Sequence, residues 1–133
     1  MFYGKYRLEY QGPREYVYVP NSADPFTFIR PSGEKIVLDE PFVTDGASVP
    51  RVFWSLPGLS PWDFMPAALV HDWLWTLRYR GVLRCGFFAS NRILREACLC
   101  LGYSRWKAWL IHRTVDLFGW YSWLRGEPEG KAK

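Results

Sequence analysis

The hydrophobic pattern of this chain changes its period once, and that change limits the possible folds more than any other feature. In the first third, apolar and polar residues alternate in short runs separated by Gly and Pro, as is typical of antiparallel strands. The runs are residues 6–10, 16–19, 26–29, 36–38 and 42–43, with a hairpin turn at 31–34. Beyond residue 63, apolar residues recur every three or four positions, which indicates helices. Strands followed by helices predict an α+β fold with one small N-terminal antiparallel sheet.

Three helices are predicted in the C-terminal half. The first covers about 63–79 and ends before Gly81, and the second covers about 87–101 and ends before Gly102. The third runs to about residue 124, with Ser104 as its N-cap. Residues 48–66 are rich in proline and predict an irregular crossing segment between the sheet and the helices. We expect a single domain over residues 1–126 and a frayed tail at 127–133.

A few polar residues interrupt otherwise apolar surroundings, and we call Asp45, His71, Asp72 and Asn91 the candidate cluster. His71 lies in the middle of the apolar stripe of the first helix, Asp72 lies at the edge of that stripe, and Asn91 interrupts the stripe of the second helix. Asp45 follows the last strand in a Thr-Asp-Gly loop. Burying an unpaired polar group costs about 2–7 kcal/mol, so these side chains should bond to one another. Asn91 can both donate and accept, which suits a bond with His71 or Asp72.

The candidate cluster has two interpretations, a reaction site and a structural clasp. In a reaction site His71 is the general base and Asp45 orients it, because adjacent helical residues such as His71 and Asp72 diverge by about 100°. Asp72, Asp45 and Asn91 would then hold a divalent metal ion or a water molecule. In a clasp the same side chains lock the loop against the helices. The sequence pattern leaves both interpretations open, so whether the protein is an enzyme also stays open. Apart from this possible divalent metal site, the sequence contains no cofactor-binding motif.

The third helix carries aromatic residues beside basic ones. Aromatic side chains make up 19% of the chain, which indicates either a core of large rings or a surface for a partner. The tryptophans of the candidate interface are Trp106, Trp109, Trp120 and Trp123. This helix is either a core helix packed on the sheet or an interface for a protein or a membrane surface. A net charge of +4 is too small to favour nucleic acid as the partner.

Two motifs resemble a small family of uncharacterised bacteriophage and prophage proteins, marked by a T-D-G-A-S-I/V-P segment and an H-D-W-L-Y segment. They are TDGASVPR at 44–51 and AALVHDWLW at 67–75, and the likeness covers roughly 42–124. Trp75 replaces the usual Tyr, and Asn91 stands where an Asp is expected, which weakens any metal binding or catalysis that needs this carboxylate. The resemblance implies a phage origin and a phage or host protein as partner. Because neither an export signal nor a membrane span is found, we expect the host cytoplasm or the virion.

The His71-Asp72 pair also resembles secreted phospholipases, in which the His activates water and the Asp helps to hold calcium. The disulfides and the Gly-rich calcium loop of those enzymes are missing from this sequence.

The sequence leads to three candidate functions. The first is a phage accessory or structural protein that acts by binding, with the candidate cluster as a clasp. The second is a His-based or metal-assisted hydrolase of a lipid, peptide or cell-wall bond. The third is binding to a membrane surface through the third helix.

Overall fold

The computed structural model describes residues 1–12, 15–44, 64–81 and 86–125, and their side chains except those of 15, 79 and 118–125. These ranges contain six strands: β1 (Phe2–Tyr3), β2 (Arg7–Gly12), β3 (Glu15–Val19), β4 (Thr27–Ile29), β5 (Lys35–Val37) and β6 (Phe42–Thr44). Three helices follow: α1 (Met65–Tyr79), α2 (Phe87–Cys100) and α3 (Arg105–Arg125). Antiparallel strands followed by helices confirm the predicted α+β class.

The strands form two three-stranded antiparallel sheets, where the sequence predicted one. The first has the order β1-β4-β5 and the second the order β2-β3-β6. The β4–β5 hairpin pairs with β1, where Phe2 lies opposite Phe28 and Tyr3 opposite Thr27, and so forms a sheet separate from that of β2, β3 and β6. A strand of two residues is too short to show alternation, so its pairing with β4 could not be anticipated from the pattern. The predicted hairpin turn is present, and Gly33 occupies it with a φ of +97°.

Tyr18 joins the two sheets. Its ring is fully buried, and its hydroxyl group donates to the carbonyl oxygen of Leu38 at 2.8 Å. The Tyr18 hydroxyl oxygen in turn accepts from the backbone N–H of Phe26 at 3.4 Å. Because Tyr18 belongs to β3 while Phe26 and Leu38 flank the β4–β5 hairpin, these two bonds fix the sheets against each other.

The helices stack outward from the sheets. α1 packs against β6 and α2, and α2 packs against α3. Every residue of α1 from Ala67 to Trp75 is buried, so this helix forms the centre of the molecule. One apolar cluster therefore contains side chains from both sheets and all three helices, among them Phe28, Ile36, Leu69, Leu94 and Ile111.

The helix boundaries agree with the prediction to within one or two residues. α1 ends at Tyr79 as expected, α2 ends at Cys100 and α3 extends to Arg125. The hydroxyl oxygen of Ser104 accepts from the backbone N–H of Lys107 at 3.4 Å, as expected of an N-cap. The crossing segment is predicted over 48–66, and its part up to residue 63 lies outside the described residues, as does the tail at 127–133.

Candidate functional site

His71 of α1 bonds to Asn91 of α2 in the interior of the protein. The His71 Nε2 atom lies 2.7 Å from the Asn91 Oδ1 atom, and neither residue has any solvent exposure. The Trp75 ring lies beside the imidazole, with the ring centroids 5.9 Å apart. The structure thus brings together two of the polar residues that interrupt apolar helix faces.

Asp116 of α3 extends this pair across a third helix. The Asn91 Nδ2 atom donates to the Asp116 Oδ1 atom at 2.8 Å, and Arg113 donates to the Asp116 Oδ2 atom at 3.2 Å. A carboxylate can only accept, so the amide nitrogen of Asn91 must face Asp116 and its oxygen must face His71. The imidazole therefore carries its hydrogen on Nε2, and in the neutral ring the lone pair lies on Nδ1.

Burial lowers the pKa of His71 below its ordinary value. The charge of Asp72, the bond with Asn91 and the charge of Asp116 act in the opposite direction without overcoming the effect of burial. At neutral pH the ring is therefore uncharged. A neutral imidazole with one fixed tautomer can serve either as a buried hydrogen-bonding group or as a proton acceptor at Nδ1.

Asp72 faces β6. Its Oδ2 atom accepts a hydrogen bond from the Thr44 hydroxyl group, and both residues are buried. The Thr76 hydroxyl group donates to the backbone carbonyl of Asp72 at 2.9 Å. The carboxylate thus fastens the last residue of β6 to the middle of α1, which accords with the divergence of His71 and Asp72 around the helix. Asp45, the predicted orienting partner of His71, lies outside the described residues.

The contact between His112 and Asp116 was not predicted from the sequence, although the two residues lie four positions apart on α3. The His112 Nε2 atom is 3.4 Å from the Asp116 Oδ2 atom. Burial lowers the pKa of His112; the charge of Asp116 opposes this effect, and the positive charges of Arg113 and other arginines add to it. The ring is therefore neutral near pH 7, and its contact with Asp116 involves no charge on the imidazole. Asp116 is the only acid in α3, a signal that could have pointed to it.

We call the side chains of Thr44, His71, Asp72, Asn91 and Asp116 the buried network. It connects the end of β6 with all three helices. The described residues contain no group of three or more His, Cys, Asp or Glu side chains that could hold a metal ion. Both amide atoms of Asn91 are engaged within the network. The suggested role of Asn91, Asp72 and Asp45 in holding metal or water stays a prediction.

The predicted interface residues are only partly described. Trp106 is 62% exposed and Trp109 is 49% exposed, both on α3. The side chains of Trp120 and Trp123 lie outside the described set. Among the described elements, α3 packs mainly on α2. Within the described ranges, no helix combines the length and the apolar character needed to cross a membrane.

The family comparison covers most of this structure. No curated protein and no solved structure matches the chain. A family model described as "Protein of unknown function (DUF1353)" matches residues 21–115. The matched range includes Thr44, His71, Asp72 and Asn91, and it ends one residue before Asp116. Because the match spans most of the chain, the protein belongs to the DUF1353 family.

Proposed function

We propose that this protein is a small phage-type accessory or structural protein that acts by binding, and that its buried network is a clasp. The observation that carries the proposal is the burial of the network. His71 and Asn91 have no solvent exposure, and Asp72 is only 4% exposed. A substrate could reach these groups only if the surrounding core moved. The phage assignment is supported by the motifs at 44–51 and 67–75.

The clasp interpretation explains why polar groups are kept in the core. Each bond of the buried network joins elements that are distant in sequence: Thr44 to Asp72 across 28 positions, His71 to Asn91 across 20, and Asn91 to Asp116 across 25. Hydrogen bonds have strict geometry, whereas apolar contacts tolerate sliding of one helix past another. The network therefore specifies one register among β6, α1, α2 and α3.

Two variants of His71 test the clasp. His71→Leu removes the donor to Asn91 and should lower the free energy of unfolding by about 1–3 kcal/mol, the usual cost of an unsatisfied buried group. His71→Gln keeps an N–H donor at a similar reach and should recover a large part of that loss. Denaturant unfolding followed by tryptophan fluorescence measures both. If wild type and His71→Leu had equal free energies of unfolding, the clasp interpretation would be rejected.

The second candidate is a His-based or metal-assisted hydrolase, and the tautomer of His71 favours it. The bond to Asn91 keeps the proton on Nε2, which leaves Nδ1 as the basic nitrogen. In this function His71 takes a proton from water at Nδ1 and Asn91 orients the ring through Nε2, while Asp72 helps to hold a cation. Asp45, the orienting partner suggested by the sequence, lies outside the described residues. The resemblance of the His-Asp pair to secreted phospholipases supports the same roles.

Turnover assays separate the hydrolase from the clasp. Wild-type protein is incubated with phospholipid vesicles, casein or purified peptidoglycan, each with calcium and with a chelator. A hydrolase loses its turnover in His71→Gln although the fold survives, because glutamine can donate but cannot act as a base. A wild type that cleaves none of these substrates would reject the hydrolase while leaving the clasp untouched.

A further inference from the structure

The described side chains of α3 form two apolar faces, one buried and one exposed. The buried face contains Ala108, Ile111 and Val115, which pack in the core. A turn of 100° per residue places Trp106 and Leu117 opposite Val115. Trp106 is 62% exposed and Leu117 is 71% exposed. Large apolar side chains clustered at the surface indicate a contact site.

We call Trp106, Trp109, Arg113 and Leu117 the aromatic face. Trp109 and Arg113 lie within about 60° of Trp106 around the helix, so the four side chains form one stripe. Trp109 is 49% exposed, and the Arg113 side chain is 60% exposed. The stripe thus combines two indole rings and an aliphatic side chain with a cation at its centre.

Cations also flank the aromatic face. Arg105 and Lys107 lie about 100° to either side of Trp106 around the helix. The Lys107 ammonium group is 6.0 Å from the centroid of the Trp106 ring. Long basic side chains at the edge of an apolar stripe can extend outward while their methylene groups cover apolar surface.

The neighbouring helix continues this composition. Phe88 and Leu99 are exposed on α2, and Arg92 and Arg95 lie between them at helical spacing. Residues 86–117 contain five cations and two acids, Glu96 and Asp116. Arg30 engages Glu96, and Arg113 engages Asp116. The charge that these two helices present to a partner is therefore positive.

From this complementarity we propose that the aromatic face binds an anionic lipid surface, with α3 parallel to the membrane plane. This names the partner class for the binding role in the proposed function and rests on that role. Indole rings favour the boundary between lipid headgroups and acyl chains, and arginine and lysine beside them pair with lipid phosphates. The mixture of tryptophan with an excess of positive charge fits this surface better than an apolar protein groove, which has no anions for the flanking cations.

Vesicle partitioning tests the proposal. Wild-type protein is mixed with phosphatidylglycerol/phosphatidylcholine vesicles or with pure phosphatidylcholine vesicles, and binding is followed by co-sedimentation. We expect binding to the anionic vesicles only, weakened in about 0.5 M salt by screening. Trp109→Glu should reduce partitioning about tenfold or more, since it places an acid among headgroup phosphates. Tyr10→Glu is the matched control, because Tyr10 is a 68% exposed aromatic on β2 and should bind as wild type.

A second pair of variants tests the charge separately from the apolar contact. Arg105→Glu/Lys107→Glu should abolish binding, whereas Lys5→Glu/Arg7→Glu changes the net charge equally at an exposed site away from α3 and should retain most of it. Equal binding to neutral vesicles, or full binding by Trp109→Glu, overturns the proposal.

A failure of the lipid proposal is distinguishable from a failure of the clasp. A stable wild type that binds no vesicles rejects the lipid surface alone. If it self-associates in ultracentrifugation and Trp109→Glu abolishes the association, a second copy of the chain covers the aromatic face instead. A failure of the clasp shows in the unfolding energies of the His71 and Asn91 variants, because both residues are buried in the interior.

Discussion

Replacing Asn91 by leucine isolates the central link of the buried network. Leucine has the same branching and the same number of side-chain heavy atoms as asparagine, so the substitution removes hydrogen bonding without creating a cavity, although its methyl groups are larger than the amide atoms. It breaks two bonds, the one from His71 Nε2 at 2.7 Å and the one to Asp116 Oδ1 at 2.8 Å. Both former partners remain in place, and the energetic consequence depends on what each can do without Asn91.

The two partners of Asn91 are affected unequally. The His71 ring has no solvent exposure, so its Nε2–H group loses its acceptor in the interior, at a cost of about 1–3 kcal/mol. Asp116 keeps its contacts with Arg113 and His112, and its loss should be no more than about 1 kcal/mol. The sum is about 1–4 kcal/mol, or roughly 3–20 °C in Tm for a chain of this size.

Chemical unfolding with guanidinium chloride, followed by tryptophan fluorescence, measures this loss. The matched control is Arg92→Leu, which introduces the same side chain at the next, exposed position of α2 and should change the unfolding energy by no more than about 0.5 kcal/mol. If Asn91→Leu were as stable as Arg92→Leu, the bonds of Asn91 would contribute nothing and the clasp would be refuted.

Three further predictions concern backbone strain, an ion pair and pH. Gly4→Ala should destabilise the protein more than Gly33→Ala by thermal unfolding. Both glycines have positive φ, but a Cβ at Gly4 would lie 2.4 Å from the carbonyl oxygen of Pro25, whereas Gly33 has open space; equal losses would contradict this reasoning. A double-mutant cycle of Arg30→Gln and Glu96→Gln should give a coupling of about 0.5–1.5 kcal/mol, because the guanidinium donates to both carboxylate oxygens, at 2.8 and 3.0 Å; a coupling near zero would show that solvent screens the pair. His71 and His112 both have a lowered pKa in the folded protein. Their contribution to the free energy of unfolding is therefore complete above pH ~6.5 and is lost as the pH falls through the folded-state pKa. The loss is at most about 1.4 kcal/mol per histidine and pH unit. Denaturant curves from neutral to acidic pH measure this loss, and a double histidine-to-glutamine variant with the same pH dependence would refute it.

Local periodicity predicted the elements of this fold better than their assembly. The alternating runs and the helical stripes located five of the six described strands and all three helices, because each pattern reflects which side of its own element is buried. The division into two sheets depends on the pairing of the β4–β5 hairpin with β1, and the packing of the sheets depends on the bonds of Tyr18; both join residues far apart in sequence. Contacts of this kind leave no local periodicity.

The same distinction applies to the site. His71 and Asn91 could be identified because each is polar within an apolar stripe, and the structure pairs them. Asp116 does not interrupt a single apolar stripe, because the described part of α3 is apolar on two faces; its sequence signal is that it is the one acid of this helix. Its importance becomes visible only when α3 packs against α2 and brings the carboxylate to the Asn91 amide.

Asp116 also changes the meaning of the asparagine at position 91. The resemblance to phage proteins led us to expect a carboxylate there, next to His71. In this chain Asn91 lies between His71 and the carboxylate of Asp116 on α3 and is hydrogen-bonded to both. An acid at position 91 would contact the imidazole directly and favour its charged form. The neutral amide of Asn91 instead fixes the tautomer of the ring, and burial keeps the ring uncharged. Asn91→Asp therefore places two carboxylates at the distance of one hydrogen bond, and its stability should improve as the pH falls, opposite to the wild type.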